Sequence, residues 1–164
     1  DVDMRLLIES SLDAVAPLIE GKPITLSAET RQPLPVICAD KRRIRQVMLS
    51  LLSNAVTFTE RGRISIRARR VEALNVDSGW MEPFVEVCIT NTGSEISEDK
   101  PVSGLHTFRP PESFQASSCV GAGFGLSTIK TLIDLHGGRT WVDGEPGKGT
   151  TFAFILPVDQ LHAS

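Results

Sequence analysis

Three stretches of the chain carry residue types that bind phosphates, metal ions or small planar ligands. The first is a glycine loop, in which Gly121, Gly123 and Gly125 stand directly before an amphipathic segment. Backbone N–H groups without side chains can approach a phosphate, and the dipole of the following helix favours negative charge there. No Lys-Ser/Thr pair follows as in a Walker loop, and no strand or parallel βαβ unit frames a dinucleotide fingerprint. The loop therefore predicts a different kind of anion site.

The second stretch is a line of small polar residues on a predicted helix. Ser50, Asn54 and Thr57 are spaced by four and three residues, so they share one side of that helix. They border an apolar stripe that consists of Ile44, Val47, Met48, Leu51, Leu52, Ala55 and Phe58. Such a line is either presented to a pocket or forms an ordinary solvated edge.

The third stretch, ITNTGSEIS (89–97), ends an apolar strand at a turn. Thr-Gly at the end of a strand is typical of small-molecule pockets. Here an amide, Asn91, precedes Gly93, and a carboxylate, Glu95, follows it. The turn raises the question of whether it still holds a ligand.

Periodicity predicts the elements that position these stretches. Apolar residues at three- and four-residue spacing predict a helix over about 4–20, capped by Asp1 or Asp3, and a second helix capped by Asp40. Strands are predicted for the alternating segments 23–28, 64–71, 84–90, 139–143 and 150–156, with 73–83 as a hairpin loop. A third helix follows the glycine loop, and 97–120 is a long irregular loop of functional or disordered character.

Composition bounds the class of protein. The 164 residues suit one domain, and the net charge of −3 gives no general attraction to nucleic acid or membranes. The arginines at 42, 43, 45, 67, 69 and 70 are interpreted as solvated faces. Scattered cysteines at 38, 88 and 119 argue against a disulfide framework or zinc site and for the cytoplasm. The chain opens on Asp1 without Met, so we expect a piece of a longer protein.

The order of the motifs resembles the catalytic ATP-binding domain of sensor histidine kinases. The motifs are RQVMLSLLSNAVTFT (45–59), NTG (91–93), FRPPESF (108–114), GAGFGLSTIKTLIDLHGG (121–138) and PGKGTTFAFILP (146–157). That domain belongs to the ATPase superfamily of gyrase, a heat-shock chaperone and MutL, and the resemblance runs over about residues 4–158. It implies a single α+β domain over 1–164 with the Bergerat-type fold. This fold is a two-layer α/β sandwich, with a mixed, mostly antiparallel sheet and helices on one face.

The resemblance also implies a site for ATP with Mg²⁺. By this resemblance Asn54 is the magnesium ligand, 97–120 is the ATP lid and Phe108 is the anchor of that lid. Other positions that match nucleotide-binding residues of the family are Asn91, Gly93, Gly121, Gly123, Gly125, Leu126 and Thr150. A neutral amide oxygen such as that of Asn54 suits a Mg²⁺ ion held mainly by phosphates and waters.

Several positions depart from the pattern of the family. Asn91 replaces an Asp that reads the adenine amino group, Glu95 replaces a glycine, and Phe124 replaces a Leu. Ser50 replaces an Asn, and Thr57 replaces a Lys that often pairs with phosphate. Each lost polar contact costs roughly 1–3 kcal/mol, so two or three losses predict ATP binding weakened by roughly 10²–10⁴, without strict additivity.

Three functions compete on this basis. A sensor histidine kinase would transfer the γ-phosphate to a histidine outside the chain, because His106, His136 and His162 lack the sequence context of a phosphoacceptor. Its expected partners are the dimerisation and histidine-phosphotransfer region of the full-length protein and the receiver domain of a response regulator. The alternative is a pseudokinase that no longer binds ATP and serves as a docking scaffold. A serine kinase of the anti-sigma-factor type is a third, less favoured possibility.

Overall fold

A layer of helices covers one face of a sheet in the computed structural model, which describes residues 1–30, 32–92, 126–145 and 149–158. The helices are Met4–Val15 (α1), Lys41–Phe58 (α2) and Leu126–Leu135 (α3), with a 3₁₀ helix at Ala16–Ile19. The strands are Ile24–Thr30 (β1), Gly62–Leu74 (β2), Met81–Asn91 (β3), Arg139–Glu145 (β4) and Gly149–Pro157 (β5). The predicted α+β class is confirmed.

The strands of the described residues form a mixed sheet in the order β1-β2-β3-β5-β4. Within this described sheet only β1 and β2 pair in parallel, and the other neighbours are antiparallel. Parallel neighbours require a crossover connection, and α2 provides it between β1 and β2. The mostly antiparallel sheet agrees with the architecture that the resemblance implies.

The core lies between the helices and the inner face of the sheet. Successive side chains of a strand point to opposite faces, so the buried residues Ile64 of β2 and Ile89 of β3 share the inner face. Asn91 continues the same row two residues further along β3, opposite Ile64 on β2 and Thr150 on β5. An amide therefore occupies the last position of an otherwise apolar inward row.

Helix α2 begins at a firm cap that also joins it to α3. The Oδ1 atom of Asp40 accepts hydrogen bonds from the backbone N–H groups of Arg42 at 2.9 Å and Arg43 at 3.3 Å. The backbone N–H of Asp40 donates to Nε2 of His136 at 3.2 Å, and Nδ1 of His136 lies 2.7 Å from the carbonyl oxygen of Leu132. His136 is thus a capping and packing residue.

Removing this link should cost measurable stability. We expect His136→Ala to lower the free energy of unfolding in urea by about 1 kcal/mol, the usual net value of one hydrogen bond. Lys130→Ala is the matched control on α3, the helix that His136 follows, since it breaks the exposed ion pair with Asp134 and should cost less than about 0.5 kcal/mol. A loss for His136→Ala no larger than that of the control would show that the link to Asp40 contributes nothing.

Several boundaries differ from the sequence prediction, and two of the differences are the largest. The helix predicted over 4–20 is α-helical only to Val15 and continues as the 3₁₀ helix, because Pro17 has no N–H to donate and its ring crowds the preceding turn. The loop predicted at 73–83 shrinks to 75–80, because β2 and β3 pair out to Leu74 and Met81. Asn75 closes this hairpin by accepting from the N–H of Asp77 at 2.9 Å.

Candidate functional site

Most of the buried polar side chains lie at one end of the interface between α2 and the sheet. Among the described residues these side chains are Ser11, Ser50, Asn54, Thr59 and Asn91. Ser11 is satisfied inside α1, where its hydroxyl donates to the carbonyl oxygen of Leu7 at 2.7 Å. The other four belong to the second half of α2, the residue that caps its C-terminus and the last residue of β3. They form the candidate site.

Asn91 and Thr59 are joined by a hydrogen bond inside this site. The Nδ2 atom of Asn91 donates to Oγ1 of Thr59 at 3.1 Å, and both residues are at most 3% exposed. The Oδ1 atom of Asn91 is buried and has no hydrogen-bond partner among the residues that the structure describes. A buried acceptor without a donor costs about 1–3 kcal/mol, so this atom is suited to a donor from a ligand or a water molecule.

The backbone around Asn91 is held from both sides. The N–H of Thr92 donates to the carbonyl oxygen of Arg63 at 2.9 Å, and the N–H of Arg63 donates to Oγ1 of Thr92 at 2.9 Å. On the other side Gly149 has φ +92°, and a Cβ atom there would lie 1.9 Å from the carbonyl oxygen of Asn91. Only glycine fits this close approach. The neighbours of β3 therefore fix the position from which the amide projects.

Helix α2 contributes two buried polar residues one turn apart. Ser50 is 1% exposed and Asn54 is 2% exposed, so the predicted polar line faces the interior at these positions. Thr57, in the last turn, is exposed, and its hydroxyl donates to the carbonyl oxygen of Ser53 at 2.9 Å. The line predicted from spacing therefore enters the interior at Ser50 and Asn54 but not at Thr57.

The hydroxyl of Ser50 supplies a simple stability test. Its Oγ atom is buried and without a partner in the described part of the chain. We expect Ser50→Ala to leave the free energy of unfolding unchanged or to raise it by up to about 1 kcal/mol, because the desolvation cost of the unpaired hydroxyl disappears. Ser11→Ala is the control, and it should lower stability, because the Ser11 hydroxyl is paired. A loss above about 1 kcal/mol for Ser50→Ala would mean that this hydroxyl is satisfied.

The donor set at this site suits a Mg²⁺ ion that arrives with phosphates. No group of three or more His, Cys, Asp or Glu residues that could hold a metal occurs in the ranges described. A dedicated all-protein metal cage is therefore not formed by those residues. Asn54 supplies a neutral amide on the buried side of α2, which fits a single protein ligand to Mg²⁺ whose other ligands are phosphates and waters.

The remaining predicted site residues divide into two groups. Thr150 is half-buried and pairs with Asn91 in the register of β3 and β5, and Leu126 begins α3. The others lie outside the described residues, namely Gly93, Glu95, Phe108, Gly121, Gly123, Phe124 and Gly125. Sequence reasoning missed Thr59, whose only signal was its place as the last residue of the helix motif.

The opposite face of the sheet carries ordinary ion pairs. Arg69 contacts Glu86 and Arg67 contacts Glu29, and both arginine side chains are about 60% exposed, as the solvated-face interpretation predicts. Burial, with a further contribution from Glu86, raises the pKa of the Cys88 thiol on this face. A thiol shifted in this direction is a poor nucleophile at neutral pH. In the ranges that the structure describes, no helix has the length and apolarity needed to cross a membrane.

Comparison with protein families gives a match to the family described as histidine kinase-, DNA gyrase B- and HSP90-like ATPase, over residues 39–160. Among curated proteins, the chain is 35% identical over 148 residues to the adaptive-response sensory kinase SasA of Prochlorococcus marinus. The match covers 86% of this chain and 37% of SasA. The chain thus spans little more than a third of that relative.

Solved structures of histidine kinases share the fold. The catalytic domain of the histidine kinase ThkA superposes with a TM-score of 0.68 at 26% identity, over 95% of this chain and 92% of that one. Full-length ShkA in complex with AMPPNP superposes with a TM-score of 0.70 at 30% identity, over 95% of this chain and 30% of ShkA. The described elements therefore belong to a known catalytic architecture.

Proposed function

Because this chain belongs to the histidine kinase-, DNA gyrase B- and HSP90-like ATPase family, we propose that it is the catalytic domain of a sensor histidine kinase that binds ATP and transfers its γ-phosphate to a histidine outside the chain. The observation that carries the proposal is the buried Oδ1 atom of Asn91, which has no hydrogen-bond partner in the described ranges. It is an acceptor in a site whose other buried side chains are also polar. The exocyclic amine of adenine is a donor of the kind that this acceptor lacks.

Different residues of the site would contact different parts of the bound ATP. Asn91, held by Thr59, would accept a hydrogen bond from the adenine amine, and Thr150 would lie beside the base. Asn54 would contribute an amide oxygen to the Mg²⁺ ion, which would neutralise phosphate charge when bound. Gly93, the glycine loop at 121–125, Leu126 and a lid at 97–120 anchored by Phe108 remain predictions of the family pattern.

The domain itself would supply orientation rather than covalent chemistry. Phosphoryl transfer relies mainly on positioning and on electrostatic stabilisation of the transferred group. The nucleophile would be a histidine nitrogen of the dimerisation region, and the receiver domain of a response regulator would accept the phosphoryl group next. His136 is unsuited to the role of nucleophile, because its ring lies between α2 and α3 with both nitrogens near backbone groups.

We also propose that nucleotide binding is weaker than it would be with a carboxylate at position 91. Charge-assisted hydrogen bonds are roughly twice as strong as neutral ones, and the Asn91 amide has no charge. The loss is limited, because the NH₂ group of Asn91 already has an acceptor in Thr59 and does not oppose the ligand. We also attribute part of the weaker ATP binding to three other departures from the family pattern, at Ser50, Thr57 and Glu95.

A pseudokinase that acts as a docking scaffold is the competing function. The observation that favours it is the exposure of Thr57, which turns its hydroxyl to its own helix where the family pattern often has a lysine. Such a scaffold would retain the two-layer α/β fold and would bind partner proteins without binding nucleotide.

A phosphorylation assay tests the proposed activity. The full-length protein that contains this chain is incubated with ATP labelled at the γ-phosphate and with Mg²⁺. We expect labelled protein whose phosphate is labile in acid and stable in base, as for phosphohistidine. Label that is stable in acid would indicate a hydroxyl acceptor and a serine kinase. Absence of label from a folded protein that binds no nucleotide would favour the pseudokinase.

A further inference from the structure

The amide of Asn91 has two arrangements that are equally well paired inside the protein. In the structure Nδ2 donates to Oγ1 of Thr59 at 3.1 Å, and Oδ1 is the buried atom without a partner among the described residues. A hydroxyl both donates and accepts, whereas an amide carries its donor and acceptor on two atoms of similar size. If the amide turns by half a revolution, Thr59 donates to Oδ1 and the unpaired atom becomes Nδ2.

The two described hydroxyl neighbours of Asn91 do not favour one arrangement. Thr150, the register neighbour of Asn91 on β5, carries another hydroxyl, which can also donate or accept. Among the described residues, the Thr59 hydroxyl has no second hydrogen bond that would fix its direction. Both arrangements therefore keep one hydrogen bond to Thr59 and leave one polar atom for the ligand. A carboxylate at the same position can only accept.

We propose that the base subsite of this chain accepts 6-oxopurine nucleotides as well as 6-aminopurine nucleotides, through reversal of the Asn91 amide against Thr59. The inference rests on the proposed nucleotide-binding function and names the substrate class of that site. Oδ1 would accept from the amine of adenine. In the reversed arrangement Nδ2 would donate to the O6 atom of hypoxanthine or guanine, with Thr59 donating to Oδ1.

The difference in affinity between the two classes of base should be small in this site. A site built to hydrogen-bond one group rejects an analogue without it by about 10⁴–10⁵, because buried polar groups are left unpaired. Here neither base leaves the amide unpaired, so that source of discrimination is absent. The preference that remains comes from contacts elsewhere on the base, and we expect it to be within about tenfold, the size of one weak contact.

The test compares Mg-ADP with Mg-IDP by calorimetric titration of this domain. IDP carries hypoxanthine, which has the 6-oxo group of guanine without its 2-amino group. We expect the two Kd values of the wild-type domain to lie within about tenfold of each other. Asn91→Asp should widen the preference for ADP to at least about a hundredfold, because a carboxylate repels O6. Thr90→Val is the control, since the Thr90 hydroxyl pairs with Thr151 on the opposite face of the sheet at 2.9 Å.

Variants of Thr59 test its part as a positioning residue. Thr59→Ser keeps the hydroxyl and should bind both nucleotides as the wild type does. Thr59→Val keeps the shape and should weaken both by a similar factor of about ten, because the amide then leaves an atom unpaired in either arrangement. Unchanged affinities in Thr59→Val would mean that Thr59 does not position the amide.

The outcomes separate this inference from the proposed function. Binding of ADP with IDP at least a hundredfold weaker in the wild type would overturn the inference and leave the kinase function standing. The inference would also be overturned, with the kinase function left standing, if Asn91→Asp does not change the ratio of the Kd for IDP to the Kd for ADP. No binding of either nucleotide by a domain that unfolds cooperatively would overturn both.

Discussion

Replacing Asn54 by alanine should weaken Mg-ADP binding by at least about a hundredfold, the equivalent of about 2.7 kcal/mol. Asn54 is 2% exposed on the inner side of α2, and among the described residues it is a buried polar side chain with no carboxylate cluster to share its task. If it provides the protein ligand to Mg²⁺, its loss leaves phosphate charge less well neutralised. Calorimetric titration with and without Mg²⁺ measures the effect.

The control for Asn54→Ala lies next to it in the chain. Ser53→Ala removes a polar group from the same turn of α2, at a half-buried position, and should leave the Kd of Mg-ADP within about threefold of the wild-type value. The effect of Asn54→Ala should also vanish when both proteins are titrated in EDTA. Equal weakening with and without Mg²⁺ would assign Asn54 to the structure of the pocket and not to the metal.

The double variant Asn91→Asp, Glu95→Gly should bind ATP more tightly than the wild type by at least about tenfold. The carboxylate introduced at position 91 would accept from the adenine amine with a charge. It would also accept from the Thr59 hydroxyl, which can rotate to donate. Replacing Glu95 removes a negative charge and a side chain where the family pattern has glycine. The measurement is the Kd of a non-hydrolysable ATP analogue.

Two comparisons make this second prediction specific. Glu9→Gln removes one carboxylate from the exposed side of α1 and controls for the general effect of net charge on an anionic ligand. The single variants Asn91→Asp and Glu95→Gly apportion the gain between the base contact and the turn. If the double variant binds no better than the wild type, weak binding originates elsewhere, with Thr57 as the next residue to test.

The sequence determined the helices and their caps well, because these depend on local spacing. The apolar stripe of α2 and its cap at Asp40 were predictable, since both depend on residues that are close together in the chain. The ends of β2 and β3 were not, because exposed residues such as Leu74 and Met81 break the alternation that marks a strand.

The contacts that define the site were beyond sequence reasoning, because they join distant parts of the chain. Asn54 and Asn91 were selected by motif, and the structure places both in the buried layer. The partner of Asn91 is 32 residues away, and the partner of Asp40 is 96 residues away, at His136. Spacing alone also placed Thr57 with Ser50 and Asn54, but burial depends on what packs over each turn of a helix.

Nucleotide binding is tested most directly by a calorimetric titration of the folded domain with Mg-ADP and with a non-hydrolysable ATP analogue. We predict binding with a Kd in the micromolar to sub-millimolar range, equivalent to roughly 5–8 kcal/mol, which is lost in Asn54→Ala. Absence of heat up to millimolar nucleotide, from a protein with a cooperative unfolding transition, would contradict the kinase function and favour the scaffold function.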